Sequence, residues 1–237
     1  MKWEFTPDEF MHIWRETGAD RYPFPLRLIA SVRWEDEFDR LTSELEQRLP
    51  LGDDPDLTAV LRLAAHPETS LALIGTRRRP LRAYGAIDTD IGVTLVQRPG
   101  PTPDFGANVV IEVGTPTTVP RVFTAVLGNV APGNHSPLVE DTNRLLNNLE
   151  SWTGTKETTS DRISRLLRAP RSGSGTVECV RDLRNSPTRD RLNWFDIDGD
   201  GRYWYRHQYN EFHIAPCDQT TIVREITRMT QPNRHPE

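Results

Sequence analysis

The chain has little cysteine, little lysine and no long apolar run. Its 237 residues include only two cysteines, Cys179 and Cys217, which are too few for a disulfide framework and are typical of reduced, structural thiols. No apolar stretch approaches the length of a membrane span, and the segment Met1–Asp8 lacks the apolar core of a signal peptide. These absences predict a cytoplasmic protein without a disulfide scaffold.

The bulk composition is that of a globular protein. The hydrophobic fraction of 36% is low but above the level of disorder, and six Trp, eight Phe and five Tyr can supply bulky core residues. The net charge of −5 argues against a general nucleic-acid binder. The basic run Arg77, Arg78 and Arg79 is a local exception, and a solvated hairpin turn is the favoured explanation for it.

The sequence lacks the motifs of the common catalytic centres. There is no Gly-x-Ser-x-Gly, no Gly-x-x-x-x-Gly-Lys, no His-Glu-x-x-His and no Cys-x-x-Cys. The glycine-rich run Arg171–Thr176 leads into a predicted strand, so it lacks the helix N-terminus that holds phosphate, and we interpret it as a linker. We therefore predict a non-catalytic protein without a cofactor. The alternative, an enzyme of another type, predicts a deep polar pocket lined by residues with perturbed pKa values.

One cluster of residue types could in principle ligate a metal: His207, Glu211, His213 and Cys217. On alternating strands the two histidines converge only in one specific pairing register, and tetrahedral zinc spacing is absent. Hydrogen-bonded histidines on strands are therefore the favoured interpretation.

The run Phe195–Tyr203 supports two interpretations. Asp196, Asp198 and Asp200, with the glycine that follows, match the first half of an EF-hand calcium loop. However, His207 stands where the bidentate glutamate is expected, and aromatic, strand-like segments replace the flanking helices. Aspartate and glycine are also typical of a tight β-hairpin, which we favour. A calcium- or metal-responsive binding module remains the alternative.

Helices and strands follow the same order twice along the chain. In the first half we predict helices at 6–14, 35–49 and 56–65, strands at 70–74, 81–87, 91–97 and 108–113, and a helix at 119–127. In the second half we predict helices at 138–149 and 156–168, strands at 176–181, 190–196, 202–207 and 211–215, and a helix at 220–229. The fold class is therefore predicted to be α+β.

A duplicated unit is the simplest explanation of this repeated order. Ile87–Asp90 occupies the position in the first half that Phe195–Asp198 occupies in the second. We predict one domain over residues 1–237, built from quasi-twofold pseudo-repeats at about 1–130 and 131–231, with 232–237 as a flexible tail. Four strands per copy need a second layer, so the copies are expected to share a central antiparallel sheet with flanking helical bundles.

Six segments share their order and spacing with one known family. They are Thr6–Trp14, Tyr22–Leu26, Pro67–Leu73, Arg171–Asp182, Asp196–Tyr203 and Ile214–Cys217. Together they resemble the EspG family of type VII (ESX) secretion-associated proteins, over essentially the whole chain from Phe5 to about Met229. The resemblance implies a quasi-twofold α+β fold, in agreement with the duplication inferred from the residues.

The resemblance also implies a function and a binding region. EspG proteins are cytosolic, non-catalytic chaperones that bind the helical tip of PE–PPE heterodimers and keep them soluble for secretion. Such a surface needs an apolar centre and a polar rim, and in the family it comes from the sheet and the C-terminal helical bundle. The matching positions here are Ile163, Leu166, Leu167 and Arg168 on a helix and Trp204, Tyr205 and Phe212 on strands.

Two further expectations concern this binding region. Period-2 alternation places Tyr203 and Tyr205 on one face of their strand and Trp204 on the other, so only one set can contact the partner. The loop between the second and third strands, which is often long in the family, spans only Asp88–Gly92 here. Partner contact through this loop is therefore not expected, and the basic turn Arg77–Arg79 is the hypothetical substitute.

Overall fold

The computed structural model describes residues 1–148 and 157–231. Within these ranges the fold is α+β, as predicted, with ten strands in one antiparallel sheet and seven α-helices. The strands are β1 (Lys2–Phe5), β2 (Thr69–Arg77), β3 (Arg79–Asp88), β4 (Ile91–Pro99), β5 (Gly106–Gly114), β6 (Leu138–Asp141), β7 (Arg171–Arg181), β8 (Thr188–Ile197), β9 (Gly201–Gln208) and β10 (Glu211–Pro216). The helices are α1 (Pro7–Trp14), α2 (Glu35–Arg48), α3 (Pro55–Ala65), α4 (Thr118–Leu127), α5 (Thr142–Asn148), α6 (Thr159–Arg168) and α7 (Gln219–Thr230).

The sheet has the same order of strands on either side of its middle. The full order is β1-β5-β4-β3-β2-β7-β8-β9-β10-β6, and β2 pairs with β7 at the centre. Each half is a four-strand meander whose last strand pairs with a short strand from the start of that half. The sequence duplication and its boundary near residue 130 stay predictions.

Two short edge strands differ from the predicted elements. Leu138–Asp141 was predicted to be the first turn of a helix, but it forms β6 and pairs with β10, and α5 begins only at Thr142. β1, which was not predicted, pairs with β5 in the same way. In both cases the short strand pairs with the unpaired backbone groups at the edge of a meander. The sequence of four residues alone does not predict such a pairing.

Two predicted segments extend beyond the described residues. The C-terminal end of the helix predicted at 138–149 and the start of the helix predicted at 156–168 fall partly within 149–156. The described part of the latter, α6, begins after Thr158, whose hydroxyl accepts from the Asp161 amide in a capping box. The predicted tail at 232–237 also lies outside the described residues.

The glycine-rich run Arg171–Thr176 is a central strand, which corrects its interpretation as a linker. These residues form the first half of β7. A Cβ atom at Gly175 would lie 2.7 Å from Cα of Gly75 and 2.9 Å from Cζ2 of Trp194. Gly75 is its cross-strand partner, so the paired glycines leave room for the indole ring above them. The glycines therefore serve close packing against a tryptophan, which composition alone does not reveal.

Helices cover the two faces of the sheet differently. On one face α4 and α7 lie against each other over the middle strands and bury Leu73, Val177 and Trp194. On the opposite face α1 and α3 cover one side of the sheet, over β3, β4 and β5. The helices α5 and α6 cover the other side, over β8, β9, β10 and β6. The middle of this second face lies between the two helix groups.

Candidate functional site

The strands between these helix groups present an open surface, which we name the central face. Cross-strand register places Ala72 beside Glu178 and Ile74 beside Thr176. The alternate side chains of β2 and β7 are those that α4 and α7 bury. The central face consists of Ser70, Ala72, Ile74, Thr176, Glu178, Val180, Arg189, Arg191 and Asn193, all exposed or half-buried.

The central face has a small apolar middle and a charged side. Ile74 is 41% exposed; Ala72 and Thr76 flank it on the same face of β2, and its cross-strand partner on β3 is Arg82. The hydroxyl of Thr176 donates to Oδ1 of Asn193 at 2.8 Å. Arg189 and Arg191 both pair with Glu178, at 3.2 and 3.5 Å. Two guanidinium groups therefore share one carboxylate, and this surface keeps a positive charge although the chain as a whole carries −5.

The C-terminal end of α6 borders this surface. The guanidinium of Arg171 lies 4.7 Å from the centre of the Phe195 ring and donates to the carbonyl of Leu167 at 2.7 Å. Cations near a helix C-terminus complement its dipole, so this contact holds the end of α6 against the sheet. Leu167 is half-buried here and Arg168 is exposed.

The predicted contact residues separate into buried and accessible sets. Ile163, Leu166 and Phe212 are buried in the core beneath α5 and α6. Tyr205, with Leu167 and Arg168, lies at the accessible border of that core. The three buried side chains therefore belong to the core, while the other three are partly or fully accessible to solvent.

Trp204 points away from Tyr205, as the alternation predicted. Trp204 packs at the edge of the core formed with α4 and α7, whereas Tyr203 and Tyr205 pack in the core beneath α5 and α6. The guanidinium of Arg206 lies 5.2 Å from the Trp204 ring and pairs with Glu225 of α7 at 3.3 Å. Trp204 therefore lies on the opposite side of the sheet from the central face.

The basic run at Arg77–Arg79 forms a hairpin turn, as predicted, but its three side chains differ. Arg78 has a positive φ of 59° and joins β2 to β3. Arg78 and Arg79 are exposed, whereas Arg77 is half-buried. The Arg77 guanidinium lies 3.4 Å from the Asp196 carboxylate and donates to the carbonyl of Leu127 at 3.0 Å. Arg77 is thus only partly solvated, and its contacts join the hairpin to α4 and β8.

The aspartate-rich run Asp196–Asp200 forms the β8–β9 hairpin, which confirms the favoured interpretation. Asp196 is only 2% exposed and accepts two hydrogen bonds from the guanidinium of Arg202, at 2.7 and 3.0 Å. Arg202 is 1% exposed and also donates to the carbonyls of Leu127 and Gly128, which end α4. The Asp196 carboxylate therefore belongs to a buried ion pair that anchors the C-terminus of α4.

The other carboxylates of this run have separate surroundings. Asp198 is exposed, while Asp200 accepts from the amide and side chain of Asn134 at 2.8 Å and from the Tyr203 hydroxyl at 2.6 Å. Burial acts to raise the pKa of Asp200, but these hydrogen bonds outweigh it and hold the pKa below its ordinary value. Burial and the Asp200 contact raise the pKa of Tyr203 to about 12.

Residues 1–148 and 157–231 contain no group of three or more side chains placed to hold a metal ion. His213 lies 3.0 Å from the Glu211 carboxylate, and the His207 ring meets the Phe212 ring edge-on. Cys217 is buried, and burial raises the pKa of its thiol to about 12. The four potential ligands noted in the sequence therefore have separate structural contacts.

None of the nine central-face residues is among the contact residues predicted from the sequence. The available signal was the alternation in β2, where Leu71 and Leu73 alternate with Ser70, Ala72 and Ile74. Alternation identifies two faces, but it does not say which of them a helix from elsewhere in the chain will cover.

The fold and this open surface define a class of protein. All ten strands form one continuous hydrogen-bonded sheet. One face of its middle strands carries small, apolar and charged side chains that no described helix covers. These features define an α+β module with one sheet face partly open to solvent.

Comparison with known families makes the identification specific. The chain belongs to the EspG family, whose match covers residues 6–228. The protein is accordingly a type VII secretion-associated chaperone, and its family is one of chaperones for secretion substrates. No curated protein matches the chain significantly. Among the described residues, every helix is too short or too polar to cross a membrane.

Proposed function

We propose that this protein acts in the cytoplasm, binds the helical tip of PE–PPE heterodimers through its central face and keeps them soluble for type VII secretion. The observation that carries the proposal is the uncovered middle of the sheet, between the helix groups α1–α3 and α5–α6. In this proposal a helix tip enters this space and contacts the strands and α6 together.

The side chains of the central face support this role. Ile74, Ala72 and Val180 supply apolar area at the centre, and Arg191 and Asn193 supply polar groups beside it. An apolar centre surrounded by polar side chains is typical of a surface that excludes water on binding and remains soluble without a partner.

The predicted contact residues take different parts in this proposal. Leu167, Arg168 and Tyr205 contact the substrate at the border of the central face, because their side chains are accessible. Arg78 and Arg79 are available as rim contacts beyond the end of β2. The rim contacts of exposed charges are expected to affect the association rate and its salt dependence more than the affinity.

The proposal is tested by coexpression with the PE and PPE proteins encoded near the gene, followed by size exclusion. We expect a stoichiometric complex with the wild-type chain and its loss with Ile74→Glu, which places a charge at the apolar centre. The matched control is Val139→Glu, because Val139 is a similarly exposed strand residue (48%) at the far edge of the sheet.

Two outcomes would contradict this proposal. Failure of every neighbouring PE–PPE pair to form a stoichiometric complex would contradict the chaperone–substrate relation. An intact complex with folded Ile74→Glu would contradict the assignment of the central face.

A further inference from the structure

Helix α2 carries a seam of apolar residues that begins in solvent and ends in the core. Trp34, Phe38, Leu41 and Leu45 recur at alternating steps of four and three residues, which is the a and d spacing of a coiled-coil helix. Trp34, at the N-cap, is 71% exposed and Phe38 is 52% exposed, whereas Leu45 is buried. The seam therefore has an open half and a packed half.

The packed half is held by α1 at the C-terminal end of the helix. Arg48 pairs with Glu9 of α1, and the carbonyl oxygen of Leu49 lies 2.9 Å from Nε2 of His12. In contrast, every residue from Trp34 to Arg40 is exposed, so no described part of the chain covers the open half. The open half is thus an apolar surface on an anchored helix, and such a surface marks an interaction site.

Acidic side chains flank the seam on both sides. In the same heptad the e and g positions are residues 35, 37, 42 and 44, and all but Thr42 are glutamates. Within residues 1–148 and 157–231, Glu35, Glu37 and Glu44 are exposed and have no ion-pair partner. The e and g positions set partner choice in coiled coils, because they pair with opposite charges across the seam. The partner of this seam should therefore be basic.

The combination of an aromatic seam and glutamate flanks selects among the possible kinds of partner. Nucleic acids and anionic lipid surfaces carry negative charge, so the glutamates oppose their approach. A ridge of apolar residues along a helix packs well against another helix, whose side chains fill the gaps between its own. The charge and the spacing together therefore point to a basic amphipathic helix.

We propose that the open half of the α2 seam binds an α-helix of a second protein, with apolar residues at a and d spacing and Lys or Arg on both flanks. Trp34 and Phe38 pack between the apolar side chains of that helix, and Glu35, Glu37 and Glu44 pair with its basic residues. The seam shares no residue with the central face, so this binding does not depend on the proposed function. A chaperone with both surfaces holds its substrate and a second protein at separate sites.

A synthetic helix supplies the probe for this site. A fluorescein-labelled peptide of about three heptads, with Leu at a and d and Lys at e and g, has the proposed chemistry, and its like charges oppose pairing with itself. Fluorescence anisotropy of this peptide with the full chain should show saturable binding. A matched peptide with Glu at e and g should bind at least about 10-fold more weakly. Absence of binding by the Lys peptide, or equal affinity of the two peptides, overturns the proposal.

The apolar part of the contact is tested with Trp34→Ser/Phe38→Ser. Truncation of central interface aromatics should raise the dissociation constant of the Lys peptide by about 30-fold or more. Val139→Ser is the control, because it also removes an exposed apolar side chain but lies on the edge strand β6. Both variants should unfold in urea as the wild type does, since the replaced side chains are exposed. An unchanged dissociation constant for the Trp34/Phe38 variant, or an equal rise with Val139→Ser, overturns the role of the seam.

The charged flank is tested with Glu37→Arg/Glu44→Arg. This variant should bind the Lys peptide at least about 10-fold more weakly and the Glu peptide more tightly than the wild type does, and the gain also shows that it is folded. Asp36→Arg/Asp39→Arg is the matched control, because it makes the same change of charge on the side of α2 away from the seam. Equal effects of the two variants would reduce the binding to general attraction between a basic peptide and an acidic protein, and would overturn the proposal.

Two further measurements on Trp34→Ser/Phe38→Ser identify other occupants of the seam. We expect this variant to keep the sedimentation coefficient of the wild-type chain and to form the same PE–PPE complex. A changed sedimentation coefficient would assign the seam to a second copy, and loss of the PE–PPE complex would assign it to the substrate; either result overturns the proposal. Failure of the wild-type chain to form the PE–PPE complex rejects the proposed function alone, because peptide binding is measured without substrate.

Discussion

Alternate residues of the middle strands point to opposite faces of the sheet, and these two faces have opposite roles. On one face Leu73, Val177 and Trp194 are buried under α4 and α7. Gly75 and Gly175 leave room there for the Trp194 ring, which a Cβ atom at either position would meet. On the other, Ile74, Thr176 and Asn193 stay accessible. α4 and α7 pack against each other over the β2–β7 junction, so the covered face helps to hold the two halves of the sheet together.

The largest expected effect is at the buried ion pair on the covered side. Asp196→Ala leaves the guanidinium of Arg202 buried without its counter-charge, and we expect a loss of about 3–5 kcal/mol in the free energy of unfolding. Urea denaturation measures this loss. Asp198→Ala, in the exposed turn of the same hairpin, should change it by less than about 0.5 kcal/mol. Equal effects of the two variants would contradict the structural role of the buried Asp196–Arg202 pair.

A smaller effect is expected where the covered face is tightly packed. In Gly175→Ala the new Cβ would lie 2.7 Å from a backbone atom, so the strands or Trp194 must shift, at a cost of about 1–3 kcal/mol. Ser174→Ala changes the adjacent residue, whose side chain lies on the other face, and should cost less than about 0.5 kcal/mol. Thermal or urea unfolding compares the two. A tolerated Gly175→Ala would show that the packing is loose.

A modest pH-dependent effect is expected at Asp200. Its pKa is lower in the folded chain than the ordinary value of 3.8, so its contribution to stability is fully present above that value. The contribution is lost as the pH falls through the lower, folded-state pKa. Asp200→Asn should therefore reduce the difference in stability between neutral and acidic pH, as measured by urea unfolding at several pH values. An Asp198→Asn control should leave that difference in place.

The smallest expected effect is that of calcium. Asp196 is committed to Arg202, and Asp200 to Asn134 and Tyr203, so calcium in excess should leave the Tm of the protein unchanged relative to a chelator. Differential scanning fluorimetry measures this. A Tm that rises with calcium concentration would instead support the calcium-responsive alternative.

Much of the fold could be predicted from local sequence, because its signals are local. The capping box at Thr6 and Glu9 is present, and the eight strands of the two meanders lie where alternation and turn residues placed them. The edge strands β1 and β6 could not be predicted, because each is stabilised by pairing with a strand about 70 or more residues away in the chain. Gly175 of β7 was misread because its packing partners, Gly75 and Trp194, lie on the two neighbouring strands.

The candidate site was only partly predictable. The region at the end of α6 and along β9 was identified through the family resemblance, but Ile163, Leu166 and Phe212 are buried while Leu167 is accessible. A helix with apolar residues at three neighbouring positions has more than one possible inward face. The strands beneath the helix decide which of these faces packs inward.

The α+β class, the order of the eight meander strands, the alternating faces and the EspG family could all be deduced from the amino-acid sequence alone. Hydrogen bonding and side-chain periodicity act over a few residues, so they leave a clear pattern in it. Only the tertiary structure decided which face of β2 and β7 is covered. That choice depends on α4 and α7, which lie far apart in the chain and pack together over Val177 and Trp194 in the folded structure.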